Sequence, residues 1–409
     1  MSQQYFVIDN GSYNIKAGFS NQDAPIKHQN ALSKARDGLI YVGNEYLVQT
    51  NNYSGMIFKR PYDHGHLISW ETEKAVWDYT FNKASPNQEL DASITHLTLT
   101  ETPFQLPQLS MNTDQIVFEE YGFNEYYRCA PASLVPWSNL GSSESKNNDF
   151  TLVVDSGYSG TWIVPIIYQN VYWKGVKKLP IGGAALNGLL REIISFRHYD
   201  IADEPVLINT IKEKTCFMAT DFEKSLANRK KYRCEFILPD FKTTTTGFVK
   251  TKDTPIDTTG DVQSLALIDE RFTIPESFYH PEIIFDNTTS STSTIQNASF
   301  KNITDLVVEC IMSCPKVTQP LLSGNIITVG GNTNLPGFTD RLRHELVKEL
   351  PIDWHVQVKE TEHNPDEASW FGGAQLTNDE IINNISISKK DYFEHGSNWC
   401  QKQFGFKNL

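Results

Sequence analysis

Along this chain, short unbroken apolar runs alternate with polar turns, and longer stretches repeat an apolar residue every three or four positions. The first run, Tyr5-Phe6-Val7-Ile8, delivers Asp9 into Asn10-Gly11-Ser12, and Ile15 to Phe19 leads away, which predicts a hairpin. The pattern returns at Val153-Val154-Asp155-Ser156-Gly157-Tyr158-Ser159, followed by Thr161-Trp162-Ile163-Val164. Helical spacing predicts helices over Trp70 to Phe81 and through Met111, Phe118 and Glu119. Further helices follow: one opened by Gly182-Gly183 with Leu186, Leu190 and Ile194 on one face, one over roughly Pro205 to Phe222, and one from Pro336-Gly337 carrying Phe338, Leu342, Leu346 and Leu350. Strands are expected at Leu97 and Leu99 and over Asn325 to Val329, the latter running into Gly330-Gly331. Residues 31–68 read as a smaller insert of short strands and turns. The polar stretch 141–148 marks a boundary between halves, and the Ser/Thr-rich stretch 286–294 reads as a surface loop.

Composition narrows the class. At 409 residues the chain is long enough for two or more cores, and 39% hydrophobic with 21% charged content is ordinary for a globular protein. A net charge of −13 argues against nucleic-acid binding through a broad basic surface. It suits basic partners such as histones, although most acidic proteins are simply soluble. No leader-like segment opens the sequence and no apolar run is long enough to span a bilayer, so an intracellular protein with reduced thiols is expected. Cys310 and Cys314 stand one helical turn apart without a second ligand pair, which favours buried thiols over a metal site.

The paired aspartate turns carry the candidate chemistry. A tight Gly/Ser turn aims backbone N–H groups at phosphates, and one carboxylate per turn can serve the metal ion that neutralises them. A single such turn says little; two say much more. Gly330-Gly331 lets the backbone approach a flat ligand, although alone it would read as a plain strand-to-helix turn.

Phosphate turn, second phosphate turn and glycine-rich turn, in that order, resemble the actin/sugar-kinase/heat-shock ATPase superfamily. Closer motifs are similar to actins and actin-related proteins. These are Asp9 through Phe19, Asp155-Ser156-Gly157, Ile211-Lys212-Glu213-Lys214 with Cys216, Glu270-Arg271-Phe272, Trp370-Phe371-Gly372-Gly373, and Ile387 to Tyr392. Three further stretches, Phe118 to Tyr121, Leu189 to Arg197 and Phe236 to Phe241, resemble a nuclear branch of the family rather than actin itself. The resemblance implies an α/β, actin-like fold: two duplicated RNase-H-like domains around a nucleotide cleft, in four subdomains. Residues 1–32, 69–148 and 370–409 would form the first large subdomain and 33–68 its small insert. Residues 149–180 and 273–369 would form the second large subdomain, with 181–272 the second small one.

It also implies bound ATP and Mg2+. Asp9 and Asp155 would hold the metal through water. Gly11, Ser12, Tyr13, Lys16, Ser156 and Gly157 would face the phosphates, Lys212 and Glu213 the ribose, and Gly330 and Gly331 the base. Departures from actin are as informative. The glutamine that orients actin's attacking water falls near Cys129-Ala130-Pro131-Ala132, its second-hairpin histidine becomes Trp162, its extra aspartate becomes Tyr158, and an adenine-side lysine is lost near Asp366. Positioning of the nucleophile is most of what a protein contributes to phosphoryl transfer, so binding without turnover, and no catalytic residue, is expected. The insert looks too short for actin's intersubunit loop, so no self-polymerisation is expected. The implied function is that of a structural subunit in a nuclear complex of the Swr class, which exchanges a core histone for its variant and so affects transcription. Its partners would be other subunits, with histones or the nucleosome reached through the complex, no membrane, and the nucleus, with the cytoplasm as a second compartment. An active ATPase or sugar kinase and a cytoskeletal filament or capping protein are the alternatives.

Overall fold

The computed structural model describes residues 4–50, 52–84, 90–138, 149–242, 244–251, 263–285 and 300–405. The boundary expected at 141–148 and the loop expected at 286–294 lie outside them.

Two six-stranded sheets carry the fold, and both follow one plan. In the first, Gln4–Asn10 and Asn14–Phe19 form an antiparallel hairpin with Asp9 opposite Lys16. Its leading strand pairs in parallel with Thr95–Thr100, which pairs in parallel with Glu125–Cys129. Ile26–Gln29 and Ile387–Ser388 complete the edges. In the second, Phe150–Ser156 and Thr161–Ile167 form the hairpin with Asp155 opposite Trp162. The leading strand again pairs in parallel with a distant strand, Ile326–Val329, and that one with Val358–Glu360. Lys177–Leu179 and Asn170–Val171 both pair with the outer hairpin strand. Central strands with parallel neighbours are covered on both faces, so they read as continuous apolar runs. Phe6, Val7 and Ile8, like Leu152, Val153 and Val154, are fully buried. Two α/β units of the same topology around a shared cleft constitute the actin-like fold.

Each unit has its own large core, and a helix pair bridges the sheets. Pro131–Ser138 packs on the second hairpin and Ala368–Leu376 on the first, and the two helices press against each other. A Cβ at Gly372 would stand 1.9 Å from Leu134 O, so this approach needs glycine. The insert folds as a small sheet of Leu32–Lys34, Ile40–Val42 and Ile57–Lys59 around Tyr41, Tyr46, Tyr53 and Met56.

Two elements differ from the sequence expectation. The helix expected over Pro205 to Phe222 stops at Thr215, and Asp221 caps a separate short helix, Phe222–Ala227, by accepting from Lys224 N at 3.0 Å. Tertiary partners divert the intervening backbone: Phe217 N donates to Arg271 O at 3.0 Å and Met218 N to Pro336 O at 2.8 Å. The second helix runs α-helical over Pro107–Gln115 and then widens to π geometry over Ile116–Tyr121. The wider turn lets Val117 and Phe118 both face the core before Gly122, at φ 76°, ends it.

Candidate functional site

Between the two units lies a cleft of ≈ 430 Å³. Asp9, Gly11, Ser12, Tyr13 and Lys16 line it from the first turn, and Asp155 and Gly157 from the second. Lys212 and Glu213 reach it from the helix Pro205–Thr215, and Gly330 and Gly331 from the glycine turn. Ser156 is the correction. It is fully buried, its hydroxyl shares a 2.8 Å hydrogen bond with Thr161 Oγ1, and it accepts from Asn332 Nδ2 at 3.1 Å. Alternation along the strand turns it away from the face that carries Asp155, so its side chain braces the turn instead of facing a phosphate.

The first turn is closely tied. Asp9 Oδ2 accepts from Lys16 Nζ at 2.9 Å and Oδ1 from Thr100 Oγ1 at 2.8 Å. Burial opposes the charge on Lys16, but Asp9 and Asp366 outweigh it and hold its pKa above the ordinary value. Behind the turn, Tyr62 donates to Asn10 O at 2.9 Å and Asn30 Nδ2 to Gly11 O at 3.1 Å. Asn30 in turn touches Glu73, which is fully buried and also accepts from Trp77 Nε1 at 3.1 Å. Burial pushes the Glu73 carboxyl up to about 7.

The second turn is tied through its backbone and leaves its carboxylate open. Gly157 N donates to Gly160 O at 3.0 Å, but among the described residues Asp155's carboxyl group has no hydrogen bond or ion pair. Burial, with Asp9's charge adding to it and Lys16 opposing it, pushes Asp155 up to about 7. The two turns touch. Ser159 Oγ donates to Ser12 Oγ at 2.8 Å, and the Tyr13 and Tyr158 rings lie 4.7 Å apart under the Arg60 guanidinium, which also donates to Tyr13 O at 3.1 Å.

At the other end, Gly330 adopts φ 93°, and a Cβ on it would stand 2.4 Å from Ser156 O. No other side chain fits that conformation and that contact. A Cβ at Gly331 would meet nothing within 4 Å, so the missing side chain keeps the cleft open there. Burial lowers the Lys212 ammonium to about 8, and its Nζ lies 3.5 Å from Gly183 O. Glu213 accepts from Asn209 Nδ2 at 2.8 Å. Sequence reasoning placed Asp366 near a lost lysine but missed what it does. Its Oδ2 pairs with Lys27 Nζ at 2.5 Å, while Oδ1 is buried with no partner among the described residues. Lys178, which lines the cleft with its Nζ 4.9 Å over the Trp162 ring, was also missed. Only strand register brings it to this face. Pro131, Tyr158 and Trp162, the positions that depart from actin, all line the cleft.

These groups fit a nucleotide with a divalent cation. Asp155 offers unclaimed oxygens to a cation's water shell, Gly331 leaves room for a base, and Asp366 Oδ1 is an acceptor waiting for a donor.

A family model described as Actin matches residues 2–405. The chain is 55% identical to the Actin-like protein ARP6 of Candida albicans, covering 99% of each. It is 35% identical to that of Saccharomyces cerevisiae over 98% of each, and 30% identical to the Actin-like protein arp6 of Aspergillus fumigatus over 99% of this chain and 95% of that one. Family membership points to nucleotide binding, which is what the paired turns and the glycine turn are built to do. With the duplicated sheets, the two aspartate turns and a match over nearly its whole length, the chain belongs to the actin family.

Proposed function

We propose that this chain holds ATP with Mg2+ as a structural brace and serves, without turning it over, as a non-filamentous subunit of a nuclear assembly that exchanges a core histone for its variant. The observation that carries the first half is the cleft itself. Both aspartate turns line it together with Pro131, Tyr158 and Trp162, which supports the reading, carried by the resemblance to actin, that the groups positioning water for hydrolysis are lost around residues 129–132, 158 and 162. Asp155 and Asp9 would hold the cation's water shell, and the cation would neutralise the phosphates. Backbone N–H groups of both turns would bind the phosphate chain, while Lys212 and Glu213 orient the ribose.

A ligand that contacts both units stabilises the closed form by mass action, so the nucleotide would act as a latch. The absence of self-assembly is supported by the insert: residues 35–39 alone join two of its strands, leaving no projecting loop there. The histone-exchange role rests on similarity to the actin-like proteins ARP6 and on the family branch read from the sequence. The remodelling ATPase would then reside on another subunit.

Nucleotide content decides the brace reading. Purified full-length protein should release ATP or ADP on denaturation, and Mg-ATP should raise its Tm by several degrees while phosphate release stays at the level of an Asp9→Ala control. Protein free of nucleotide and unmoved by Mg-ATP would end this reading. Affinity purification from cells should recover remodelling subunits and histones; recovery of cytoskeletal proteins instead would overturn the assignment to a nuclear assembly.

A further inference from the structure

Each sheet presents a row of three opposed residues to the cleft. In the first, Asp9 stands opposite Lys16, and Lys16 opposite Lys27. In the second, Asp155 stands opposite Trp162, and Trp162 opposite Lys178. Directly opposed residues on neighbouring strands share a face, so each row runs aspartate, middle residue, lysine across the cleft floor. The lysines have different company. Lys16 is held by Asp9, Lys27 by Asp366, and Lys212 lies against Gly183 O. Lys178 faces only the Trp162 ring; among the described residues no carboxylate or carbonyl oxygen takes its ammonium. It is thus the cleft lysine without an oxygen partner.

Its place in the sheet says which end of a ligand it would meet. The strand ending in Val329, which leads to Gly330-Gly331, flanks the Asp155 strand on one side, with Val329 opposite Asp155. The Trp162 and Lys178 strands lie on the other side. The order across the floor is therefore glycine turn, Asp155, Trp162, Lys178, roughly 14 Å over three strand spacings. A nucleotide whose base lies at the glycine turn and whose phosphates pass Asp155 has its terminal phosphate directed at Lys178.

We propose that Lys178, held by cation–π contact over Trp162, is a terminal-phosphate ligand that makes the cleft prefer a nucleoside triphosphate to a diphosphate. This rests on the nucleotide-brace reading above and adds to it a determinant of nucleotide state. A free ammonium over an aromatic face is positioned and partly desolvated, yet keeps its capacity to donate to an anion. The diphosphate ends short of it and leaves it as it is.

The test is calorimetric titration of nucleotide-stripped full-length protein with Mg-ATP and Mg-ADP, comparing wild type, Lys178→Met and Lys178→Arg. Methionine keeps the length of the stem without the charge, and arginine keeps the charge. In the Met variant ATP affinity should fall about tenfold or more while ADP affinity changes less than twofold, with the Arg variant restoring most of the preference. Equal losses for both nucleotides, or unchanged ATP affinity, would overturn the proposal and leave Lys178 as a support for Trp162. A wild-type protein that binds neither nucleotide would remove the brace reading itself, and this proposal with it. An unchanged Tm of the stripped Met variant confirms that folding is not the cause of any loss.

Discussion

The two aspartate turns look alike in sequence and are nearly superimposable in topology, yet they are in different electrostatic states. Asp9 sits in a completed arrangement, with Lys16 on one oxygen and Thr100 on the other. Asp155 has Trp162 where Asp9 has Lys16, and burial, with Asp9's charge adding to it and Lys16 only partly opposing it, raises its carboxyl group to about 7. Duplication therefore supplied two scaffolds but one balanced site. The first half is organised before any ligand arrives, and the second carries an unmet demand that a cation would satisfy. Placing a lysine in the middle of one row and a tryptophan in the middle of the other produces the difference, because only the lysine can neutralise its neighbour.

That contrast is broken most severely by removing Asp9. Asp9→Ala leaves Lys16 buried and unpaired, so the nucleotide-free protein should lose about 3–5 kcal/mol in chemical denaturation. Asp155→Asn removes a carboxylate that has no partner among the described residues, so at pH 8 the nucleotide-free variant should be no less stable than wild type, while Mg-dependent nucleotide binding is lost. If both substitutions destabilise the empty protein alike, the two turns are not in different states.

A smaller effect lies behind the first turn. Glu73's carboxyl is raised to about 7 against an ordinary 4.5, so between those values the folded protein keeps a proton that the unfolded chain has shed. Its contribution is fully present below about 4.5 and declines as pH rises through about 7. Glu73→Gln should therefore match wild type at low pH and exceed it at pH 8 by on the order of 3 kcal/mol. Parallel stability–pH curves for the two proteins would rule this out.

The smallest expected effect is at the contact between the turns. Ser12→Ala and Ser159→Ala should each cost about 1 kcal/mol or less, with a coupling energy of similar size in a double-mutant cycle. Zero coupling would mean the two halves are joined elsewhere, through the Tyr13, Tyr158 and Arg60 stack.

Much of this site was legible because it depends on local pattern. An apolar run ending in aspartate and a Gly/Ser turn is readable as a hairpin, and two of them in one chain imply a shared cleft. The glycine turn was readable for the same reason. Ser156 misled because one residue's shift along a strand reverses its face, and only the pairing fixes which face looks into the cleft. Lys178 was silent because its importance lies in register with strands that are distant in sequence. The helix over Pro205 to Phe222 was read too long because Phe217 and Met218 give their N–H groups to Arg271 and Pro336, far along the chain.

The sequence by itself determined the duplicated hairpins, the glycine turn, the family and the residue types that could meet a nucleotide. Those follow from local periodicity and turn chemistry, which act over a few residues. Tertiary structure alone decided which charges are paired: Lys16 on Asp9, Lys27 on Asp366, and Lys178, among the described residues, over a tryptophan ring without an oxygen partner. An ion pair or hydrogen bond needs its partners within a few ångströms, and distances that short between residues far apart in sequence exist only once the sheets have formed.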